Sequence, residues 1–212
     1  MKFKAILFDQ DGTVADTLPL LAHSVINAIK ILSNKKMTLK EVVSYFGPSE
    51  DGVMRSFFPE QPENAFKVYL EQYEKLHDEI CPAPFPRIKD LLETLSSNGI
   101  FVGMVTGKCR EATEISLRKF GLLSYFKVIE TGSPDGVDKI NGFKRILKQI
   151  GMDKADCLYV GDEPSDIEIC RKAGMQIASA AWASTALPEV LEDMNPGMVF
   201  YTIEDFKNWV LD

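Results

Sequence analysis

The sequence predicts an α/β protein with a doubly wound parallel sheet and a small all-helical domain inserted after its first strand. Five short apolar runs have the length and composition of buried parallel strands. They cover residues 3–8, 100–106, 127–131, 157–161 and 176–181. Helical patterns alternate with the last four runs, and this alternation requires right-handed crossovers between parallel strands.

The helices predicted ahead of the last four strands each have one apolar face. Apolar residues recur there at the spacing of a helix that packs against a sheet. Each pattern ends at or near a glycine, which tolerates the left-handed conformation that closes many helices. The glycines are Gly99, Gly121, Gly151 and Gly174.

The interval between Asp16 and Phe85 differs from the rest of the chain because its patterns are helical only. Apolar stripes at helical spacing predict two long and two short helices. They are expected near residues 18–32, 38–46, 50–57 and 66–80. We therefore predict a helical cap domain at residues 16–84 and a discontinuous core made of residues 1–15 and 85–212.

Composition limits the classes of function. The 212 residues are 45% hydrophobic and carry a formal net charge of −7, which argues against a nucleic-acid surface because such a surface needs a basic patch. No apolar segment has the length needed to cross a membrane. The four cysteines and two histidines lack the spacing of a zinc site. In the absence of a secretion signal we expect reduced thiols and a cytoplasmic location.

The most informative stretch is Asp9-Gln10-Asp11-Gly12-Thr13, directly after the first predicted strand. Two carboxylates one residue apart repel each other unless a cation or a proton compensates them. A divalent metal would do so, and so would a division of labour between an ionised and a protonated acid. An ordinary polar turn is the alternative, since Asp and Gly are common turn residues.

Other predicted strands also end in groups suited to phosphoryl chemistry, and open parallel sheets bind ligands at these ends. Thr106-Gly107-Lys108 follows the second strand, Asp138-Lys139 follows the loop after the third, and Gly161 to Asp166 ends the fourth. A carboxylate can attack phosphorus, a second acid can move the proton, and hydroxyl, amide and lysine groups can hold the oxygens. Mg²⁺ prefers oxygen ligands, for which Asp9 and Asp162 are the natural candidates.

The order and spacing of these motifs resemble those of the haloacid-dehalogenase superfamily of hydrolases, in members with a helical cap inserted after the first motif. The matching residues are Asp9 to Thr13, Thr106 and Gly161 to Asp166, and the likeness covers essentially the whole chain. It implies a Rossmann-like core beneath a small helical cap.

The resemblance implies catalytic and metal-binding roles for three aspartates. Asp9 would be the nucleophile and would bind Mg²⁺ through its side chain. Asp11 would be the general acid and base, with its main-chain carbonyl on the metal. Asp162 would complete the protein ligands of the metal, and Gly12 and Thr13 would support the first motif.

The phosphate-binding residues implied by the family are Thr106 with Gly107, a lysine, and Asp166 in support of the metal or the lysine. Relatives of this type often carry Lys-Pro in the third motif, and this chain does not. Lys139 is the expected lysine because it opens a predicted helix, where the helix dipole disfavours a cation unless an anion lies close. Lys127 and Lys108 are the alternatives.

Two further basic residues are candidates for substrate selection. Lys108 could instead stand at the rim of the pocket. Arg55 lies a short way beyond the turn Phe46-Gly47-Pro48-Ser49 in the cap, where it could contact a substrate anion.

We therefore expect a Mg²⁺-dependent hydrolase of small phosphorylated metabolites, similar to phosphoglycolate phosphatases, that acts through an aspartyl-phosphate. Aspartate at position 11 fits the phosphatases and phosphomutases of the superfamily rather than its dehalogenases. The alternatives are a phosphotransferase resembling β-phosphoglucomutase and a non-catalytic regulatory protein of the same fold. The sequence does not distinguish a monomer from a homodimer, and it does not identify the substrate.

Overall fold

A computed structural model of the chain describes residues 2–136 and 138–212. Within them lies a six-stranded sheet in the order β3-β2-β1-β4-β5-β6, with every neighbouring pair parallel. The strands are β1 (Ala5–Phe8), β2 (Phe101–Val105), β3 (Val128–Glu130), β4 (Cys157–Gly161), β5 (Gln176–Ala180) and β6 (Val199–Phe200).

The helices of the described residues fall into two groups. Those between β1 and the segment leading to β2 are α1 (Leu18–Ser33), α2 (Leu39–Val43), α3 (Glu50–Phe57) and α4 (Pro62–Ile80). Those that accompany the sheet are α5 (Ile88–Ser97), α6 (Arg110–Lys119), α7 (Lys139–Ile150), α8 (Pro164–Ala173), α9 (Pro188–Met194) and α10 (Ile203–Leu211). Two short 3₁₀ turns, Leu123–Tyr125 and Lys154–Asp156, precede β3 and β4.

Strand β1 lies near the centre of the sheet and is buried on both faces. Since side chains alternate along a strand, Ile6 and Phe8 pack with α5 and α10 on one face, while Ala5 and Leu7 pack with α7 and α8 on the other. All four residues are fully buried. Burial on both faces explains why the strand reads as a continuous apolar run.

The fold class expected from the sequence is confirmed, with differences at the edges. The five predicted strands are present, most of them one or two residues shorter than expected. Strand β6 and helix α9 had no counterpart in the sequence analysis. A two-residue strand such as Val199–Phe200 is too short to show a period of its own, and it is defined by pairing with β5.

Helices α1 to α4 share an apolar cluster with one helix of the sheet layer. Their buried residues pack against Cys109, Ala112 and Ile115 at the start of α6. The hydroxyl of Tyr73 and the Nε2 of His77, both on α4, lie 2.8 and 3.0 Å from the Ser116 hydroxyl. The cap therefore rests on α6 through both apolar and polar contacts, and its limits at residues 16–84 stay a prediction.

None of the helices in the described part of the chain has both the length and the apolar composition required to cross a bilayer.

Candidate active site

Three polar side chains follow the ends of the three central strands. Phe8 at the end of β1 pairs with Met104 of β2 and Val160 of β4, so these strands end at a common edge. Asp9, Thr106 and Asp162 come directly after β1, β2 and β4 and are all buried. Strands β2 and β3 lie on one side of β1, and β4 to β6 lie on the other, so the strand order reverses at this point. Open parallel sheets bind ligands at such a point.

The loop after β1 folds back tightly against the loop after β4. The main-chain carbonyl of Gln10 accepts hydrogen bonds of 2.9 to 3.2 Å from the main-chain amides of the three residues after Gly12, which are Thr13, Val14 and Ala15. Gly12 has a positive φ of 71°, and a Cβ there would lie 2.0 Å from Oδ2 of Asp162. The Thr13 hydroxyl donates to Oδ1 of Asp162 at 3.1 Å. Glycine is thus required at position 12 both for its backbone and for the space it leaves beside Asp162.

Lys139 lies at the centre of the buried charges. It is the first residue of α7, and its Nζ is 2.6 Å from Oδ2 of Asp9 and 2.6 Å from Oδ1 of Asp166. Burial opposes the charge on this ammonium, but the two carboxylates outweigh burial and raise the pKa of Lys139 above its ordinary value. The helix-dipole reasoning that selected Lys139 therefore led to a lysine held between two acids.

Asp9, Asp162 and Asp166 form a compact acidic cluster with carboxylate oxygens within 4.8 Å of one another. One lysine does not balance three carboxylates, and burial together with Asp9 and Asp166 raises the pKa of Asp162 to about 8. An all-oxygen set with surplus negative charge suits a hard divalent cation. The residues present therefore fit a metal site of the kind expected from the sequence.

This cluster differs in one member from the predicted ligand set. It includes the carboxylate of Asp166, whereas Asp11 was expected to contribute its main-chain carbonyl. The Asp11 carboxylate lies outside the cluster, because it accepts a hydrogen bond from the Thr17 hydroxyl and lies 3.3 Å from Nζ of Lys108. The roles of Asp11 and Asp166 toward a metal stay predictions.

Asp11 and Asp9 have different environments although one residue separates them. Burial raises the pKa of Asp11, with Glu50 and Asp9 acting in the same direction and Lys108 and Thr17 against it. Asp9 instead lies beside the Lys139 ammonium, and its Oδ1 accepts the amide of Gln10 at 2.7 Å. The two carboxyl groups therefore differ in their charged and hydrogen-bonding neighbours.

Thr106 and Gly107 form a tight turn at the end of β2. The Thr106 amide donates to the Glu130 carbonyl of the neighbouring strand at 3.0 Å, and the Thr106 hydroxyl accepts the Lys108 amide at 3.3 Å. Gly132 packs against this turn so closely that a Cβ there would lie 1.9 Å from the Gly107 oxygen. Both Thr106 and Gly107 line the same cavity as Asp9.

Glu50 is a buried acid of the cap that the sequence analysis did not select. It begins α3 and is 2% exposed. Its carboxylate accepts the Cys109 amide at 2.6 Å and the Tyr69 hydroxyl at 3.2 Å, and it lies 3.0 Å from Nζ of Lys108. Burial opposes its ionisation, but Lys108 and the Cys109 amide outweigh burial and hold the pKa of Glu50 below its ordinary value.

The sequence offered only a weak signal for Glu50. An acid in the first turn of a helix is favourable through the helix dipole and needs no further explanation. Glu50 differs from such an ordinary acid in its partners, Lys108 and Cys109, which lie far from it in the sequence.

Lys108 does not stand at a solvent-exposed rim. Its side chain has no exposed surface, its Nζ lies between Asp11 and Glu50, and it sits 4.9 Å from the centre of the Tyr73 ring. The structure therefore places Lys108 in the cavity wall with its charge paired.

Arg55 is brought to a different place from the one expected. Its guanidinium donates to the Pro134 carbonyl at 3.0 Å and to Oδ1 of Asp135 at 2.8 Å, and it is not part of the cavity wall. Nearby, a Cβ on Gly52 would lie 2.5 Å from the same Pro134 carbonyl. Arg55 thus belongs to a contact between α3 and the loop after β3.

A cavity of about 350 Å³ joins these groups. Residues of the core form the mainly polar side of the cavity, and residues of the cap form the opposite, largely apolar side. The wall is formed by Asp9, Asp11, Leu18, Leu21, Phe46, Gly47, Pro48, Glu50, Val53, Thr106, Gly107, Lys108, Lys139, Glu163, Ser165 and Ile169.

The sequence is similar to those of known hydrolases. Residues 6–180 match the family model described as haloacid dehalogenase-like hydrolase. A protein from Caldanaerobacter subterraneus, provisionally named pyrophosphatase PpaX, is 32% identical over 97% of this chain and 92% of its own length. The phosphoglycolate phosphatase of Aquifex aeolicus is 29% identical over 90% of each chain.

The fold also matches solved structures. A crystal structure from Haemophilus somnus, of a protein assigned by prediction as a phosphoglycolate phosphatase, has a TM-score of 0.76 over 99% of each chain. The identity is 22%, so this likeness concerns the fold alone.

Proposed function

The chain belongs to the haloacid dehalogenase-like hydrolases, as its motifs indicated, and from that premise we propose that it is a Mg²⁺-dependent phosphatase acting on small phosphomonoesters. The observation that carries the proposal is the pair of aspartates with different partners: Asp9 beside Lys139 and the acidic cluster, and Asp11 beside Thr17 and Lys108. The names of the two curated relatives, a pyrophosphatase and a phosphoglycolate phosphatase, support phosphate-bond hydrolysis.

In the proposed reaction, a carboxylate oxygen of Asp9 attacks phosphorus and forms an aspartyl-phosphate. The leaving oxygen takes a proton from Asp11 as its bond to phosphorus breaks. Asp11 then removes a proton from water, and the water oxygen attacks the same phosphorus. Inorganic phosphate is released, and the Asp9 carboxylate is restored.

The other residues of the site hold the phosphoryl group. The Thr106 hydroxyl, the Gly107 amide and the Lys139 ammonium would bind its non-bridging oxygens. Asp9, Asp162 and Asp166 would hold Mg²⁺, together with the proposed carbonyl of Asp11. When bound, Mg²⁺ would offset the negative charge shared by the acids and the phosphoryl oxygens.

The test is phosphate release from a simple phosphomonoester such as p-nitrophenyl phosphate in the presence of Mg²⁺. Asp9→Asn is expected to reduce the rate by about 10³-fold or more, because amide oxygen is a poor nucleophile. Chelation of the metal should abolish activity, and added Mg²⁺ should restore it. Asp193→Asn, an exposed acid on α9, is the matched control.

Three outcomes would contradict the proposal. Activity of Asp9→Asn within tenfold of the parent enzyme would exclude Asp9 as the nucleophile. Conversion of a sugar 1-phosphate to the 6-phosphate without phosphate release would identify a phosphotransferase. Absence of turnover on a broad panel of phosphate esters would favour a non-catalytic protein.

A further inference from the structure

The cap side of the active-site cavity is mainly apolar. Leu18, Leu21, Phe46, Pro48 and Val53 face it there. A substrate whose phosphorus lies at Asp9 must place its leaving group elsewhere in the same cavity. The charge on the remaining wall therefore decides which leaving groups are accepted.

Among the residues that the structure describes, Lys108 and Lys139 are the only lysines or arginines in the cavity wall. Lys139 contacts Asp9 and Asp166 at 2.6 Å and so belongs to the phosphoryl end. Arg55 is directed to Asp135, outside the wall. Only Lys108 could meet a negative charge on the leaving group.

The charge of Lys108 is already compensated twice. Its Nζ lies 3.0 Å from Oε1 of Glu50 and 3.3 Å from Oδ1 of Asp11. Glu50 is held in place by the Cys109 amide at 2.6 Å and by the Tyr69 hydroxyl. Glu50 is thus buried and anchored beside Lys108 by groups from both the cap and the core.

From this arrangement we propose that Glu50 makes the enzyme select phosphomonoesters with an uncharged leaving group and reject those whose leaving group is an anion. The inference rests on the proposed phosphatase function, and it separates this chain from the two curated relatives, since pyrophosphate and phosphoglycolate both have anionic leaving groups. A second negative charge in the cavity would meet the Glu50 carboxylate and no unpaired cation, and an unfavourable charge contact of this kind is an effective means of discrimination.

A matched pair of esters tests the proposal: 2-hydroxyethyl phosphate and 2-phosphoglycolate have the same length and differ in an alcohol or a carboxylate at the far end. The parent enzyme with Mg²⁺ should have a kcat/KM at least about tenfold higher for 2-hydroxyethyl phosphate. Glu50→Gln preserves size and leaves Lys108 with one carboxylate. It should shift the ratio of kcat/KM values by about tenfold toward 2-phosphoglycolate.

The ratio cancels any loss of activity that both esters share, so it isolates charge selection from general damage to the site. Glu74→Gln, an exposed acid of the cap outside the cavity wall, makes the same change in net charge and should leave the ratio unaltered. A parent enzyme that prefers 2-phosphoglycolate overturns the proposal. A folded Glu50→Gln protein with the parent's ratio overturns the role of Glu50.

The failure of the proposed function is distinguishable from the failure of this inference. If neither these two esters nor p-nitrophenyl phosphate and the broad panel are hydrolysed, the phosphatase proposal fails. Calorimetric measurement of the binding of the two esters in the presence of Mg²⁺ then tests the selection without turnover. Tighter binding of 2-hydroxyethyl phosphate would support the inference, and equal or tighter binding of 2-phosphoglycolate would overturn it. If Glu50→Gln does not fold, the parent enzyme's preference still decides.

Discussion

Lys139 is expected to stabilise the folded protein as well as to bind phosphate. Its Nζ is 2.6 Å from Asp9 and from Asp166, and the three side chains are 8%, 9% and 0% exposed. Lys139→Met keeps the length of the side chain and removes the only cation that contacts these two carboxylates in the described residues. Loss of one partner from a buried ion pair costs about 3–5 kcal/mol, so we expect a decrease of this size in the free energy of unfolding.

The measurement is urea denaturation at neutral pH with a chelator present, followed by tryptophan fluorescence. Mg²⁺ should return part of the lost stability, because an ion that binds only the native acids favours the native state. Lys144→Met, an exposed lysine on the same helix, should change stability by no more than about 0.5 kcal/mol. A second substitution, Asp166→Asn, should lessen the damage of Lys139→Met by removing a stranded charge.

A loss below about 1 kcal/mol in Lys139→Met would refute this reasoning. So would a double variant less stable than the single one, since the carboxylate would then not be the source of the cost.

Three smaller changes test other parts of the structure. Burial, aided by Lys119, lowers the pKa of His77 from 6.5 to about 4. Between these pH values the unfolded chain therefore binds more protons than the folded protein. Up to about 3 kcal/mol of the stability present above pH 6.5 should be lost as the pH falls toward 4. His77→Gln should flatten this part of the stability profile in parallel denaturation curves at pH 7 and 4.5, and an unchanged slope would count against it. The buried side-chain amide of Gln10 has no hydrogen-bond partner among the described residues. Gln10→Met should therefore raise the free energy of unfolding by about 1 kcal/mol rather than lower it. Gly52→Ala would bring a Cβ within 2.5 Å of the Pro134 carbonyl, so α3 should be displaced. This displacement should raise KM more than it lowers kcat. Unchanged kinetics would show that α3 tolerates the methyl group.

The placement of the core residues at one site could be predicted because they follow directly after strongly patterned strands. Asp9, Thr106 and Asp162 each follow directly after an apolar run, and parallel strands bring their carboxyl ends to one edge. Lys139 was found by a local argument as well, since a cation at a helix start requires a compensating anion. Two carboxylates at 2.6 Å are that compensation.

The rest of the cavity depends on pairings between distant parts of the chain, which local patterns do not encode. Glu50 is defined by Lys108 and Cys109, 58 to 59 residues away in the sequence. Arg55 was a reasonable candidate by charge and position in the cap, but its partner is the exposed Asp135 on a loop of the core. Which of several acids an arginine meets is decided by the packing of α3 on that loop, not by either local sequence.

The two lysines of the cavity give Asp9 and Asp11 different neighbours. Lys139 lies between Asp9 and Asp166, and Lys108 lies between Asp11 and Glu50. Each trio has one more negative charge than positive. Asp162 adds a further acid to the first trio alone, where a divalent cation is the natural compensation.

The second trio is placed apart from that cluster and closed by the cap. Burial raises the pKa of Asp11, which is the direction that its proposed role as general acid requires. Once Asp11 carries a proton, Lys108 and Glu50 form a neutral pair, so the proposed selection for uncharged leaving groups depends on Glu50 occupying the Lys108 ammonium and not on a surplus of negative charge. The proposed proton donation by Asp11 and the proposed selection by Glu50 would thus depend on the same ammonium.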